Sequence, residues 1–236
     1  MESFIESNHM ADNVAEIRSR MEKAARAAGR RSNEVLLCAA CKSRTSEMVR
    51  ISAALPVDLF GENRVQELVN HFIADAYLGK PCHFIGHLQT NKVNKVVGKA
   101  SLIHSVDNLR LLDAIQMAAA RQGMIQDILV EVNIGGEVSK HGATRDEVWR
   151  MLDAATLMHN VRVRGLMSIP PAFDNGLESR RYYAMTRRLL EQARELHFEN
   201  AVLDTLSMGM TASFEAAILE GATIVRVGTG IYGVRK

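Results

Sequence analysis

The feature that most restricts the fold of this chain is an alternation. Eight short apolar runs, at 35–41, 57–60, 83–85, 102–106, 128–132, 161–167, 202–206 and 223–227, are separated by seven stretches with helical spacing of apolar residues. Those stretches cover 45–54, 63–77, 90–98, 108–122, 144–158, 177–197 and 211–220. The runs are continuous, as in Val35-Leu36-Leu37-Cys38-Ala39-Ala40-Cys41, which suits strands buried on both faces of a parallel sheet. An amphipathic helix precedes them over 10–28, with Met10, Val14, Ile17, Met21, Ala24 and Ala28 on one face and Gly29 where a C′ residue would stand. Residues 1–9 are expected to be a loosely ordered lead-in.

Eight strands joined by seven helices, behind a leading helix able to cover the outside or the bottom, is the tally of an α/β chain folded as a single (β/α)8 TIM barrel. The 236 residues come close to the roughly 250 that this fold uses, so one domain over 1–236 is expected. An open doubly wound sheet usually carries a Gly-rich loop after its first strand. Here that loop is Lys42-Ser43-Arg44-Thr45, which has no glycine. Asn63 with Gln66, and Thr144 with Glu147, have the spacing of capping boxes and mark two helix starts.

In a barrel of this kind the chemistry sits at the C-terminal ends of the strands, and phosphate commonly binds after strands seven and eight. The first strand ends on Lys42. The seventh ends Ser207-Met208-Gly209-Met210 and the eighth Arg226-Val227-Gly228-Thr229-Gly230. Small residues there let backbone N–H groups approach an anion, and Ser207 and Thr229 add hydroxyl donors. Because the eighth strand closes against the first, a phosphorylated aldehyde or ketone could be held by its phosphate while its carbonyl condenses with Lys42. That condensation needs a neutral amine, which burial at the barrel mouth or a neighbouring cation such as Arg226 favours. The strand pattern leaves open whether Arg226 points inward or outward.

Composition excludes other classes. A net charge of +2 gives no electrostatic case for nucleic acid or anionic membrane, and 5% aromatics leave few platforms for stacking bases. Lys92, Lys95 and Lys99 share a helix face and are expected to be a solvated surface. The first twenty residues carry Glu2, Glu6, Asp12, Glu16 and Arg18, unlike a signal peptide, and no apolar stretch is long enough for a membrane span. Three cysteines make no disulfide framework. The expected location is the cytoplasm. Cys38 and Cys41 on one strand point to opposite faces and are expected to be buried structural thiols. His87, His104 and His141 lack metal spacing and are expected on the surface or in loops; no metal is expected.

Several motifs now converge. Lys42 after its apolar strand, Phe60-Gly61-Glu62-Asn63-Arg64-Val65-Gln66-Glu67, His83-Phe84-Ile85-Gly86-His87-Leu88-Gln89-Thr90-Asn91-Lys92, Val132-Asn133-Ile134 with Glu137-Val138-Ser139-Lys140-His141-Gly142, Gly165-Leu166-Met167-Ser168-Ile169-Pro170 and Leu206-Ser207-Met208-Gly209-Met210 follow one another in order. Over roughly residues 10 to 235 the chain resembles the YggS/PROSC family, the pyridoxal 5′-phosphate (PLP) homeostasis proteins. The resemblance implies a barrel like the N-terminal domain of alanine racemase, with PLP held as an aldimine on Lys42. It implies phosphate contacts from Ser207, Gly228 and Thr229, Arg226 facing the pyridine nitrogen and Asn63 near the ring. With Gly209 these form the candidate cofactor-binding set; no catalytic residue is assigned. The chain departs from the family pattern at Thr211-Ala212-Ser213-Phe214, where acidic residues are usual, at Cys41, where serine is common, and at Cys82, where an aromatic is usual.

The implied role is intracellular PLP supply, with PLP-dependent apo-enzymes as recipients and a monomer as the default state. The alternative is a PLP-dependent amino-acid racemase, and a third reading is a Schiff-base aldolase acting on a sugar phosphate without PLP. A racemase of this barrel type resembles a two-domain dimer whose second domain supplies an opposite-face tyrosine, and this chain is expected to lack that domain. Tyr232 is expected to pack rather than to act as that base. An arginine at the ring nitrogen stays protonated and keeps that nitrogen unprotonated, which makes a poorer electron sink.

Overall fold

The computed structural model describes residues 2–137, 139–171 and 178–233. Residue 1, Val138 of the fourth motif and position 177 at the expected start of the sixth helix lie outside them. Eight parallel strands close into a barrel in sequence order: β1 (Leu36–Ala40), β2 (Leu59–Glu62), β3 (Cys82–Phe84), β4 (Leu102–Val106), β5 (Gln126–Val132), β6 (Val161–Ser168), β7 (Ala201–Ser207) and β8 (Ile224–Val227). The seam is made by β1 on β8, paired from Leu36↔Ile224 to Ala39↔Val227. The described helices are α1 (Glu2–Ala27), α2 (Ser46–Ala53), α3 (Val65–Ile73), α4 (Leu109–Arg121), α5 (Arg145–Thr156), α6 (Arg180–Glu195), α7 (Phe214–Leu219) and α8 (Thr229–Tyr232).

Three local expectations change. Helix α1 already begins at Glu2, so it starts ahead of the expected 10–28. The stretch expected as a helix over 90–98 is a 3-10 helix, Thr90–Lys95, between β3 and β4. Asn63 does not cap α3; Arg64 holds the N-cap position and makes no capping bond. The Thr144–Glu147 capping box is present, with both reciprocal bonds formed.

Helix α8 is a single turn, too short to cover the seam. Helix α1 covers it, packing on α7, α8 and α2 and burying Met10, Val14, Ile17 and Met21. Each such side chain contributes roughly 1.5–3 kcal/mol by leaving water. Asn13 Nδ2 adds a bond to the Ile231 carbonyl at 3.0 Å. Tyr232 belongs to this outer shell: it is buried, and its hydroxyl bonds Ser52 Oγ at 2.9 Å.

Inside the barrel an apolar layer of Cys38, Leu59, Leu102, Leu129, Met167 and Ile224 fills the floor. Side chains two positions apart on a strand share a face. The next inward positions toward the C-terminal end are therefore Ala40, Gly61, His104, Glu131 and Arg226, and there the interior turns polar. Cys41 packs in the outer shell, so the two sulfurs of the C-x-x-C do fall on opposite faces, and burial pushes the Cys38 thiol up to about 12.

Candidate functional site

Arg226 points inward and is 5% exposed. Its Nη1 donates to Ser207 Oγ at 2.5 Å and its Nη2 to the Ser168 carbonyl at 3.1 Å. These bonds use two of the five N–H groups of a guanidinium. Behind Ser207 the network continues to His104 Nδ1 at 2.9 Å, and from His104 Nε2 to His83 Nδ1 at 2.9 Å. Ser207 Oγ accepts from Arg226 and shares a further hydrogen bond with His104 Nδ1. One proton lies between the two imidazoles, so one ring donates and the other accepts. Burial pushes His83 down to about 4 and His104 well below the ordinary histidine value, so both are neutral at pH 7. The placement of His104 on the surface or in a loop is thus corrected: it is a fully buried residue of β4, because its side chain falls on the inward face of that strand.

Above this layer lies a cavity of about 390 Å³, lined by Ala40, Lys42, Arg44, Asn63, Ile85, Ile169, Met210, Thr211, Ala212, Arg226, Gly228 and Thr229. That size is within the range of small-molecule sites. Five of the seven candidate residues meet there: Lys42, Asn63, Arg226, Gly228 and Thr229. Ser207 and Gly209 do not line it. Ser207 is turned down into the barrel toward His104. Gly209 is buried at φ +93°, and a Cβ there would stand 2.6 Å from that of Ala217, so its role is the close approach of the β7 end to α7. Lys42 is exposed at the rim, not buried as the desolvation idea required.

The loops after β7 and β8 are bound to one another. Thr211 Oγ1 accepts from Gly230 N at 3.2 Å and lies 3.1 Å from Thr229 Oγ1. Ser213 Oγ takes the Met210 amide and meets Tyr183 Oη at 2.7 Å. The residues that depart from the family pattern therefore hold this loop with hydroxyls. Among the described residues, no partner takes the backbone N–H of Thr211, Ala212, Gly228 or Thr229. Four unpaired amides from two adjoining loops line one cavity, a donor set suited to an oxyanion.

Two charged features escaped the sequence reading. Glu131 of β5 is 7% exposed and pushed up to about 7, first by burial, then by Asp107, against the pull of Arg226. Glu62 is fully buried behind the sheet and accepts from His71 Nδ1 at 2.7 Å and Tyr77 Oη at 3.1 Å. Its neighbour Asn63 is pinned by Gly86, where a Cβ would lie 2.1 Å from the Asn63 carbonyl oxygen.

A family model described as "Alanine racemase, N-terminal domain" matches residues 5–236. The pyridoxal phosphate homeostasis protein of Aquifex aeolicus is 40% identical over 225 residues, covering 95% of this chain and 98% of that one. This chain belongs to the pyridoxal phosphate homeostasis protein family. The structure of PipY from Synechococcus elongatus, described as having PLP bound, superposes with a TM-score of 0.82 at 28% identity, covering 95% of this chain and all of that one. Alanine racemase from Corynebacterium glutamicum, at 14% identity and a TM-score of 0.68, shares the fold; the match covers 94% of this chain and 62% of that one. This chain and the racemase thus share a barrel, and a shared barrel does not by itself set the chemistry.

Proposed function

We propose that this chain binds pyridoxal 5′-phosphate at the barrel mouth and serves intracellular PLP homeostasis and supply, without turning over a substrate of its own. The observation that carries this is the amides of Thr211, Ala212, Gly228 and Thr229, which take no partner among the described residues and belong to the residues that line one cavity with Lys42 and Arg226. They fit the cofactor's phosphate, with the Thr229 hydroxyl beside them. Gly228 keeps the cradle open, since a Cβ there would come within 3.2 Å of the Ala40 carbonyl oxygen. Lys42 is the point of covalent attachment, Ile85 and Ile169 offer apolar contact, Asn63 lies by the ring, and Arg226 addresses its nitrogen. Ser207 and Gly209 act from behind, by fixing Arg226 and the β7 loop. PLP, when bound, supplies an electron-withdrawing aldehyde.

The arrangement favours holding over catalysis. An arginine keeps its proton, which limits the ring as an electron sink. Racemisation also needs an acid–base group on the opposite face from the lysine. Among the described residues that line the cavity there is no carboxylate, histidine, tyrosine or cysteine. Tyr232 bonds Ser52 and lies 3.6 Å from Cys41 Sγ, in the outer shell. The named homeostasis relatives support the same reading, in which the chain works as one monomeric domain in the cytoplasm and hands PLP to dependent apo-enzymes.

The test is spectroscopic. The purified chain mixed with PLP turns yellow, and borohydride fixes the cofactor on a peptide containing Lys42. Lys42→Ala abolishes the covalent label. A chain that stays colourless, or a Lys42→Ala chain labelled to the same extent, overturns the assignment. Exchange of the α-hydrogen of alanine in deuterated solvent at about 1 s⁻¹ or faster would favour a racemase over a carrier.

A further inference from the structure

Outside the cofactor cavity, the loops after β3, β4 and β5 bring His87, Asp107 and His141 together, with one ligand atom from each lying within 4.8 Å of the others. The imidazoles of His87 and His141 are stacked, with centroids 3.9 Å apart and planes at 14°. His87 Nδ1 is 4.0 Å from Asp107 Oδ2. The other carboxylate oxygen, Oδ1, accepts from Asn108 Nδ2 at 2.6 Å, which orients Oδ2 toward the histidines. The His141 loop is tied down by Asn133, whose side chain accepts from Glu137 N at 3.2 Å and donates to the carbonyl of Glu137 at 2.8 Å.

From this geometry we infer that His87, Asp107 and His141 bind one divalent transition-metal ion. Two imidazoles and one carboxylate suit zinc, nickel or cobalt, whereas magnesium and calcium take oxygen ligands. Donor atoms around a shared tetrahedral zinc lie about 3.4 Å apart, given bonds of about 2.1 Å. Rotation of the two exposed imidazoles closes the remaining distance, while the less exposed Asp107 is the fixed point. The remaining coordination positions open to solvent. This cluster is separate from the cofactor cavity, and its test contains no cofactor chemistry.

Untagged full chain is dialysed against zinc chloride, and metal is counted after removal of excess. One zinc per chain is expected. His87→Ala, His141→Ala and Asp107→Asn each weaken binding at least tenfold, while a His159→Ala/His197→Ala chain binds as the parent does. Magnesium at tenfold excess leaves the zinc in place. A parallel measurement on the unaltered chain follows histidine NMR signals during cobalt addition and expects selective broadening at His87 and His141. No zinc retained at equal stoichiometry, undiminished binding after His87→Ala/His141→Ala, displacement by magnesium, or broadening spread over all histidines would each overturn the site.

Discussion

The guanidinium of Arg226 and the hydroxyl of Ser207 meet at 2.5 Å inside the barrel, and this contact joins the cavity to a row of buried histidines. The arginine is thereby held from below, leaving its other N–H groups for whatever occupies the mouth. Ser207→Ala removes an acceptor from Arg226 and a hydrogen-bond partner from His104 without touching the cavity wall. Leaving buried groups unpaired costs about 1–3 kcal/mol. Urea unfolding should show that loss, and absorbance titration should show PLP affinity falling several-fold. Unchanged stability would mean that the contact is not structural.

Thr211 is the second point of leverage. Thr211→Val keeps its shape but loses the oxygen that receives the Gly230 amide and meets Thr229. The two loops should then separate. PLP affinity is expected to fall by up to about tenfold, on the scale of one lost hydrogen bond between neutral groups, with an unfolding midpoint close to that of the parent. A Thr211→Ser chain should restore most of the affinity.

Glu131 makes stability fall as pH rises. Its folded pKa of about 7 exceeds the unfolded value of about 4.5, so the folded chain binds more protons in between, and a penalty accumulates through that window. The shift corresponds to about 3 kcal/mol. Glu131→Gln should therefore gain stability relative to the parent between pH 5 and pH 8, in urea unfolding run at both values. An unchanged difference would place the charge elsewhere.

His83 acts with the opposite sign. Its folded pKa of about 4 lies below the ordinary 6.5, so its contribution is complete above 6.5 and is lost as pH falls toward 4. His83→Gln should flatten the acid limb of the stability profile. Because the windows of Glu131 and His83 overlap, the two variants should tilt the profile in opposite directions.

The barrel was legible because strands buried on both faces leave continuous apolar runs, and the run at 102–106 coincides with β4. The same property hid the inner polar layer. With no polar–apolar alternation, nothing in Leu102-Ile103-His104-Ser105-Val106 says which side chain faces the barrel axis; the closed register decides it. Lys42, Gly228 and Thr229 stood out as residues at strand ends, whereas the places of Asn63 and Arg226 followed from the family resemblance. The Thr211 and Ala212 amides did not, because an unpaired backbone N–H has no letter in a sequence. The tie between the two last loops also depends on the side chain of Thr211, where the family pattern led elsewhere. His87, Asp107 and His141 come from three separate loops, so their proximity follows only from barrel closure.

The seam between β1 and β8 sets the order of events during synthesis. Of the eight strands the lysine strand leaves the ribosome first, whereas its neighbour in the barrel, with Arg226 and the Gly228–Thr229 amides, follows the other seven. Joining them closes a loop spanning most of the chain, and such long-range pairing is slow. A nascent or truncated product without β8 therefore carries the lysine and the Thr211–Ala212 amides but neither Arg226 nor the Gly228–Thr229 half of the cradle. The cavity is complete only when the eighth strand docks on the first.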